Sequence, residues 1–249
     1  MILEKLKQRH VWHPRREVNH ITVRSPRITQ ELTLAVVADL HDGAFEDVLP
    51  QLQGCDAILI PGDLIDRHSG GYARGLAFLD AAVPIAPVFY AIGNHEWRHP
   101  AFGEYWPQVQ ARPVTVLDDS YVAFGGIVIG GLSARKDKKA AIPFVADMAR
   151  ENCFRLLMCH HPEYYARHIA PFDIDLTLAG HAHGGQVRIG HQGIYAPGQG
   201  LFPRYTSGFY HGGRLLVSRG MTNATWAPRL NCSCELIILH LEGTDEQAT

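Results

Sequence analysis

Long apolar runs are missing from this chain. No stretch approaches the ~18 uninterrupted apolar residues of a membrane-spanning helix. The first residues, Met1-Ile2-Leu3-Glu4-Lys5-Leu6-Lys7, offer neither the apolar segment nor the small-residue cleavage site of a secretory signal. Cysteine is sparse and odd in number, at five, which gives no even disulfide framework. Cys232 and Cys234 stand one residue apart, too close for a zinc-binding C-x-x-C pair, and read as alternating loop or strand residues. Cys55, Cys153 and Cys159 read as small buried residues. A reducing, cytoplasmic setting is the expectation. An excess of positive charge is lacking too. Lys plus Arg number 23 against 25 acids, a formal net charge of -2, so no stable nucleic-acid complex is expected. The local exception is the segment holding Lys5, Lys7, Arg9, Arg15, Arg16, Arg24 and Arg27. It reads as a solvated arm or a first edge strand, with peripheral contact to anionic headgroups as the alternative. Internal repeats, low-complexity tracts and linkers are absent as well.

What is present fits a folded α/β protein. The chain has 249 residues, 46% hydrophobic and 19% charged, enough to bury a sizeable core. It reads as a single domain over 1–249, with 1–30 as a basic N-terminal arm. Apolar runs at 32–38, 57–60, 88–91, 154–158 and 174–178 predict central strands. Further strands are expected at 186–189, 215–218 and 235–241, and a hairpin at 121–132 turning at Gly125-Gly126. Helices are expected over 45–52, 72–82 and 140–150, the last approached by Lys136-Asp137-Lys138-Lys139. Residues 191–213, rich in Gly, Tyr, Phe and Pro, read as a long functional loop.

The polar motifs fall just past the ends of these strands, where open α/β sheets gather their ligand sites. They are Asp39-Leu40-His41, Gly62-Asp63, Gly93-Asn94-His95-Glu96, Cys159-His160-His161-Pro162 and Gly180-His181-Ala182-His183. Asp66-Arg67 and Gly184-Gly185-Gln186 extend two of them. Any one of these histidines read singly is more often a cap or a loop residue than a ligand. Together they supply carboxylates, an amide and several imidazoles, the donor set that two adjacent divalent metals need. Imidazole and amide donors suit Mn, Fe, Zn or Co better than Ca or Mg.

This ordered set resembles the calcineurin-like metallophosphoesterase superfamily, whose signature reads D-x-H, G-D, G-N-H-[D/E], H, G-H-x-H. The resemblance spans about 32 to 241. The stretches Gly180 to Gln186, Gly200-Leu201-Phe202-Pro203 and Val217-Ser218-Arg219-Gly220 resemble a bacterial branch of phosphodiesterases and UDP-2,3-diacylglucosamine hydrolases. It implies a four-layer α/β/β/α sandwich. It also implies two divalent metals, Mn foremost with Fe, Zn or Co as alternatives. One ion would take Asp39, His41, Asp63 and His183; the other would take Asp63, Asn94, His160 and His181, with Asp63 as bridge. Such a pair lowers the pKa of a shared water and clamps phosphoryl oxygens as charge builds. His95 is implied as general acid or transition-state stabiliser, oriented by Asp66. Arg67 is implied as a phosphate contact. His160, two before Pro162, aligns with the family ligand, and His161 is assigned as substrate-facing or as support for a ligand, with His161 itself as the metal ligand the lesser alternative.

The reaction expected is hydrolysis of a phosphodiester or pyrophosphate in a small molecule or lipid-linked nucleotide. Trp97, Trp106, Phe202, Tyr205 and Phe209 either line a slot for a bulky leaving group or serve as ordinary core aromatics. A nuclease and a non-catalytic scaffold are the alternatives. The first usually adds a DNA-capping domain, and the second usually lacks residues such as Asp63, Asn94 and His95. Asp42 after His41 and Asn231-Cys232-Ser233-Cys234 depart from the branch pattern.

Overall fold

Runs such as Ala57–Ile60 and Phe154–Cys159 are buried along their whole length, which requires a sheet covered on both faces. The computed structural model describes residues 16–134, 142–223 and 229–244 and places these runs inside two six-stranded sheets. The first contains β1 (Arg16–Ser25), β2 (Leu32–Val36), β3 (Ala57–Ile60), β4 (Val88–Ala91), β5 (Val114–Leu117) and β16 (Cys234–Gly243), in the order β1-β16-β2-β3-β4-β5. β2 to β5 are parallel, while β16 lies antiparallel to β2 and parallel to β1. The second contains β6 (Ser120–Phe124), β7 (Ile127–Leu132), β8 (Phe154–Cys159), β9 (Leu176–Ala179), β14 (Gly208–Tyr210) and β15 (Leu215–Val217), in the order β14-β15-β9-β8-β7-β6. Its four central strands are parallel, with antiparallel edges at β6 and β14.

Alternation of side chains along each strand sorts the core into three apolar layers. Leu34, Val36, Leu59 and Phe89 of the first sheet meet Ile129, Leu156, Met158 and Leu178 of the second. Ala35, Ile58 and Ile60 face outward onto the helices α2 (Ala73–Ala82) and α4 (Phe102–Gln110), through Phe78, Leu79, Tyr105 and Val109. Val128, Leu157 and Val217 face the other way, onto Val145 and Met148 of α5 (Ile142–Met148) and onto Tyr165 and Ile169. The result is an α/β/β/α sandwich. Each fully buried aliphatic side chain contributes about 1.5–3 kcal/mol.

Two short helices complete the first sheet's side, α1 (Leu49–Leu52) and α3 (Asn94–Trp97). The helix expected over 45–52 shortens to α1 because Pro50 favours a first helical turn, where its missing N–H costs nothing. The sequence reading missed α4, which carries an internal Pro107, and also β5. Within 191–213 the chain forms short ladders. β10 (Arg188–Ile189) pairs with β11 (Gln192–Gly193), and β12 (Tyr195–Ala196) with β13 (Gly200–Leu201). Of the basic segment, Arg16–Ser25 is edge strand β1, where Arg16 bonds the Met221 and Ala44 carbonyls and Asp47. Lys5, Lys7, Arg9 and Arg15 lie outside the described residues, as do residues 136–139.

The parallel strands set the site. Asp39 follows β2, Asp63 follows β3 and Asn94 follows β4. From the second sheet, His160 follows β8, His181 follows β9, and Gly220 lies past β15. Loops from both sheets therefore meet at one edge of the sandwich.

Candidate metal centre

The loops that meet there are held in uncommon backbone conformations. Asp39, His41, Asp63, His181 and His183 all have positive φ, between 46° and 67°. Asp and His tolerate this left-handed region better than most residues, and strain of this kind gathers at functional sites. The turns are pinned by long-range bonds. The His181 N–H donates to both oxygens of Asp39 at 3.0 Å, and the His95 N–H donates to Asp63 Oδ1 at 2.8 Å. Gly93 permits the closest approach. A Cβ there would stand 2.2 Å from Asp63 Oδ1 and 2.7 Å from Glu96 Oε2. Gly93→Ala is therefore expected to displace Asp63 and to lower metal-stimulated turnover at least tenfold, by analogy with the 10–100-fold cost of disturbing groups that support metal ligands. Unchanged turnover on a phosphodiester would contradict this.

Asp39, Asp63, His41 and His160 are almost wholly buried. Asp39, His41 and His183 present ligand-type atoms within 4.8 Å of one another, and so do Asp39, Asp63 and His160, and His160, His161 and His181. His160 Nε2 lies 3.0 Å from Asp63 Oδ2, and His41 Nε2 lies 3.8 Å from the same oxygen. The Asp63 carboxylate thus stands between the two imidazoles. Both ring nitrogens of His41, Nδ1 of His160 and Oδ1 of Asn94 are buried without a hydrogen-bond partner, and His160 Nε2, though 3.0 Å from Asp63 Oδ2, is not aligned for a hydrogen bond. Buried polar atoms are ordinarily paired. This cluster of lone pairs around two carboxylates is the arrangement that divalent cations satisfy, and the donor types fit them.

The electrostatics follow the same geometry. Burial alone would raise Asp39 and Asp63, but surrounding imidazoles overcome it and hold both carboxyls below their usual range. Burial likewise opposes charge on His160, yet Asp63 and Asp39 lift it to about 9. His181 and His183 are pushed down by burial and by the neighbouring basic groups. The pocket is built to hold positive charge next to Asp39 and Asp63.

His95 and Asp66 meet as expected. His95 Nδ1 lies 3.1 Å from Asp66 Oδ1, and the opposite ring nitrogen, Nε2, lies 3.9 Å from Asp63 Oδ2. Burial raises the Asp66 carboxyl, but His95 and the His68 N–H draw its pKa down to about 2. An ionised Asp66 accepts from Nδ1–H, so it orients the ring and leaves Nε2 facing the cluster. The Arg67 backbone N–H also lies 3.3 Å from His95 Nδ1, a contact that becomes a hydrogen bond only when Nδ1 carries no proton, while Arg67 Nε donates to His68 Nε2 at 2.9 Å. Its guanidinium is thus turned toward His68. His161 joins His160 and His181. Of the aromatics named from sequence, Tyr205 is core and Trp106 packs against core, whereas Phe202 and Phe209 are exposed. His99 is buried, with its ring edge-on to Tyr72.

Several supports were not assigned from sequence. Glu96, fully buried, accepts the N–H groups of Asp63, Leu64, Ile65 and Gly93 at 2.6–3.3 Å, and the Tyr90 hydroxyl at 2.8 Å. Asp42, the departure after His41, accepts from the N–H groups of Asp66 and Gly75 and from Ser69 Oγ. It therefore ties the loop carrying Asp66 to the loop carrying His41. Arg229 is buried, with Nη2 3.2 Å from His183 Nδ1. The signals available were a carboxylate inside each of two motifs; nothing local in the sequence joins Arg229 to His183.

The sequence profile of the family described as Calcineurin-like phosphoesterase matches residues 32–185. An uncharacterized metallophosphoesterase of Campylobacter jejuni is 28% identical, over 91% of this chain and 63% of its own length. Uncharacterized metallophosphoesterase YkuE of Bacillus subtilis is 30% identical, over 76% of this chain and 69% of its own. An uncharacterized metallophosphoesterase of Helicobacter pylori aligns over 50% of its length, so the chain spans one half to two thirds of several curated relatives. Among solved structures, a 5'-nucleotidase precursor from Thermus thermophilus shares the fold with a TM-score of 0.50 at 14% identity, covering 84% of this chain and 55% of that one.

Proposed function

Because the chain belongs to the calcineurin-like phosphoesterase family, we propose that it hydrolyses phosphoesters with two divalent metal ions held between its sheets. Asp39, His41, Asp63 and His183 would hold one ion. Asp63, Asn94, His160 and His181 would hold the other. The observation that carries this reading is the pair of buried carboxylates ringed by imidazole nitrogens that have no hydrogen-bond partner. When bound, such ions supply an activated water and a positive clamp for phosphoryl oxygens. The residues of the chain do the rest. His95 Nε2 faces the cluster and, from the doubly protonated ring, gives a proton to the leaving oxygen, while Asp66 accepts from Nδ1–H and holds the ring in place. Arg67 sits at the mouth beside His95 and meets a phosphoryl oxygen once its guanidinium swings from His68. Manganese is the ion we favour, on the imidazole and amide donors. The five cysteines are all free thiols, which supports a cytoplasmic setting.

The substrate we favour is a phosphodiester or pyrophosphate with a bulky apolar leaving group, such as a lipid-linked nucleotide. Two features of the excursion after His183 support it. Ile189, Leu201, Phe202 and Leu230 are exposed on or beside its short hairpins, with Leu201 and Phe202 at 70% and 69%. Between Asp175 and Glu235 the sequence contains no acid but five arginines, Arg188, Arg204, Arg214, Arg219 and Arg229, which disfavours repulsion of an anion. Replacing Leu201 and Phe202 together by serine is expected to raise KM for a long-chain alkyl p-nitrophenyl phosphodiester about tenfold, the equivalent of losing roughly 1.4 kcal/mol of apolar contact. Bis-p-nitrophenyl phosphate turnover is expected to hold. Equal effects on both esters would remove the apolar subsite from the account. The general reading is tested by Mn-stimulated hydrolysis of bis-p-nitrophenyl phosphate, and little activity there would count against a phosphodiesterase.

A further inference from the structure

His161 and Glu163 stand on the side of the centre formed by the second sheet, and the function proposed above gives neither a firm task. His161 is 8% exposed. Its ring centroid lies 4.1 Å from that of His181 and 5.2 Å from that of His160. Ring nitrogens of all three come within 4.8 Å of one another. The turn Pro162–Tyr164 that follows β8 brings Glu163 back toward His161, placing Glu163 Oε1 3.0 Å from His161 Nδ1. Tyr164 stacks on the His161 ring at 4.6 Å and 26° and fixes its plane. A carboxylate accepting from Nδ1–H leaves the lone pair on Nε2, the arrangement by which proteins orient metal-binding imidazoles. The other Glu163 oxygen, Oε2, is buried without a partner.

The β12–β13 turn covers this pair. At Gly198 (φ 74°) a Cβ would stand 2.6 Å from Glu163 Oε1 and 3.0 Å from His181 Nε2. The turn therefore packs against the Glu163 carboxylate and the His181 ring together, so that His161, Glu163 and His181 form one assembly under one lid of backbone.

Resting on the two-metal reading, we propose that His161 is a third imidazole of the second metal position, beside His160 and His181, and that Glu163 is the positioning residue that holds it there. His161 thereby moves from a substrate contact to a ligand. A third neutral imidazole also favours a softer ion at this position than at the one built on Asp39.

The test is manganese titration of the full chain by isothermal calorimetry, with metal counting by mass spectrometry and low-temperature electron paramagnetic resonance of the loaded protein. Wild type, His161→Ala, Glu163→Gln and Glu163→Asp are compared. Wild type is expected to bind two ions and to show a spin-coupled pair. His161→Ala is expected to keep one tight ion, lose affinity for the other by at least about 100-fold, and show an isolated Mn spectrum. Glu163→Gln is expected to weaken the same ion by about 10–100-fold, with Glu163→Asp recovering most of it. Two tight ions and a coupled pair in His161→Ala, with only KM raised, would overturn the proposal and leave the two-metal reading standing. A wild type that binds fewer than two ions would overturn both. Circular dichroism spectra that superimpose across the four proteins separate these results from misfolding.

Discussion

Alanine in place of His95 is expected to lower kcat on an alkyl phosphodiester by about 10²–10⁴-fold, the usual share of a general acid, with two ions still bound. The expectation follows from where the ring stands. Nδ1 is committed to Asp66 at 3.1 Å, and Nε2 points to the cluster, 3.9 Å from Asp63 Oδ2 and beyond hydrogen-bond distance of it. His95 thus borders the proposed centre, grouped with His41 and Asp66 rather than with the donors around Asp39 and His160. Asp66→Asn is expected to lose less than His95→Ala, because the ring persists and only its tautomer and tilt are released. The loss in His95→Ala should shrink with esters whose leaving groups need no proton, p-nitrophenolate being near that limit, and grow with alkoxide leaving groups. A His95→Ala rate within about tenfold of wild type on an alkyl ester would remove His95 from the chemistry.

The second large effect is one of stability. Glu96→Ala takes away an acceptor shared by four backbone N–H groups and the Tyr90 hydroxyl. Each donor left buried and unpaired costs about 1–3 kcal/mol. Relaxation and entry of water reduce the sum, and a loss of about 3–5 kcal/mol is expected, as when one member of a buried charged network is removed. That is a large fraction of the 5–15 kcal/mol by which domains are usually stable. Burial and the charge of Asp63 push the Glu96 pKa up, while the Tyr90 hydroxyl and the backbone N–H groups favour its ionised form. Glu96→Gln keeps one carbonyl oxygen for these donors but turns an NH₂ toward the others, so it should fall between Ala and wild type. Urea denaturation measures this directly. A Glu96→Ala stability within about 1 kcal/mol of wild type, the size of one ordinary hydrogen bond, would show that the loop after β3 does not depend on Glu96.

Much of this architecture could be read in the chain because short apolar strands and site residues are encoded side by side. Ala57–Ile60 stops at Pro61-Gly62, and Asp63 follows. Val88–Ala91 likewise ends before Gly93-Asn94. The strand ends therefore announced both the sheets and where the proposed ligands lie. What was hidden depends on contacts between distant segments. Helix α4 carries Pro107, a helix breaker by propensity, and is retained by the burial of Tyr105 and Val109. For Arg16–Ser25 the sequence offered a first edge strand only beside a solvated arm, because the strand is fixed by pairing with β16, more than 200 residues on. The short hairpins after His183 have ladders of only two pairs and no periodicity to detect. The same holds in the site. Asp39, His41 and Asp63 were visible as a motif, whereas the Asp42 bonds to Asp66 and Gly75, and the Arg229 contact with His183, join positions 24 to 46 residues apart. The His161–Glu163 pair is local, yet its meaning depends on His181 and Gly198 arriving from another loop.

The central claim is a two-metal centre bridged by Asp63. It is tested most directly by counting metal per chain by mass spectrometry after manganese or iron reconstitution, for wild type and Asp63→Asn side by side. The account predicts about two ions in wild type, as a two-metal site requires, and fewer in Asp63→Asn, with Mn-stimulated phosphodiesterase activity lost in the variant. No metal in wild type under either reconstitution, or a full metal complement and full activity in Asp63→Asn, would contradict it.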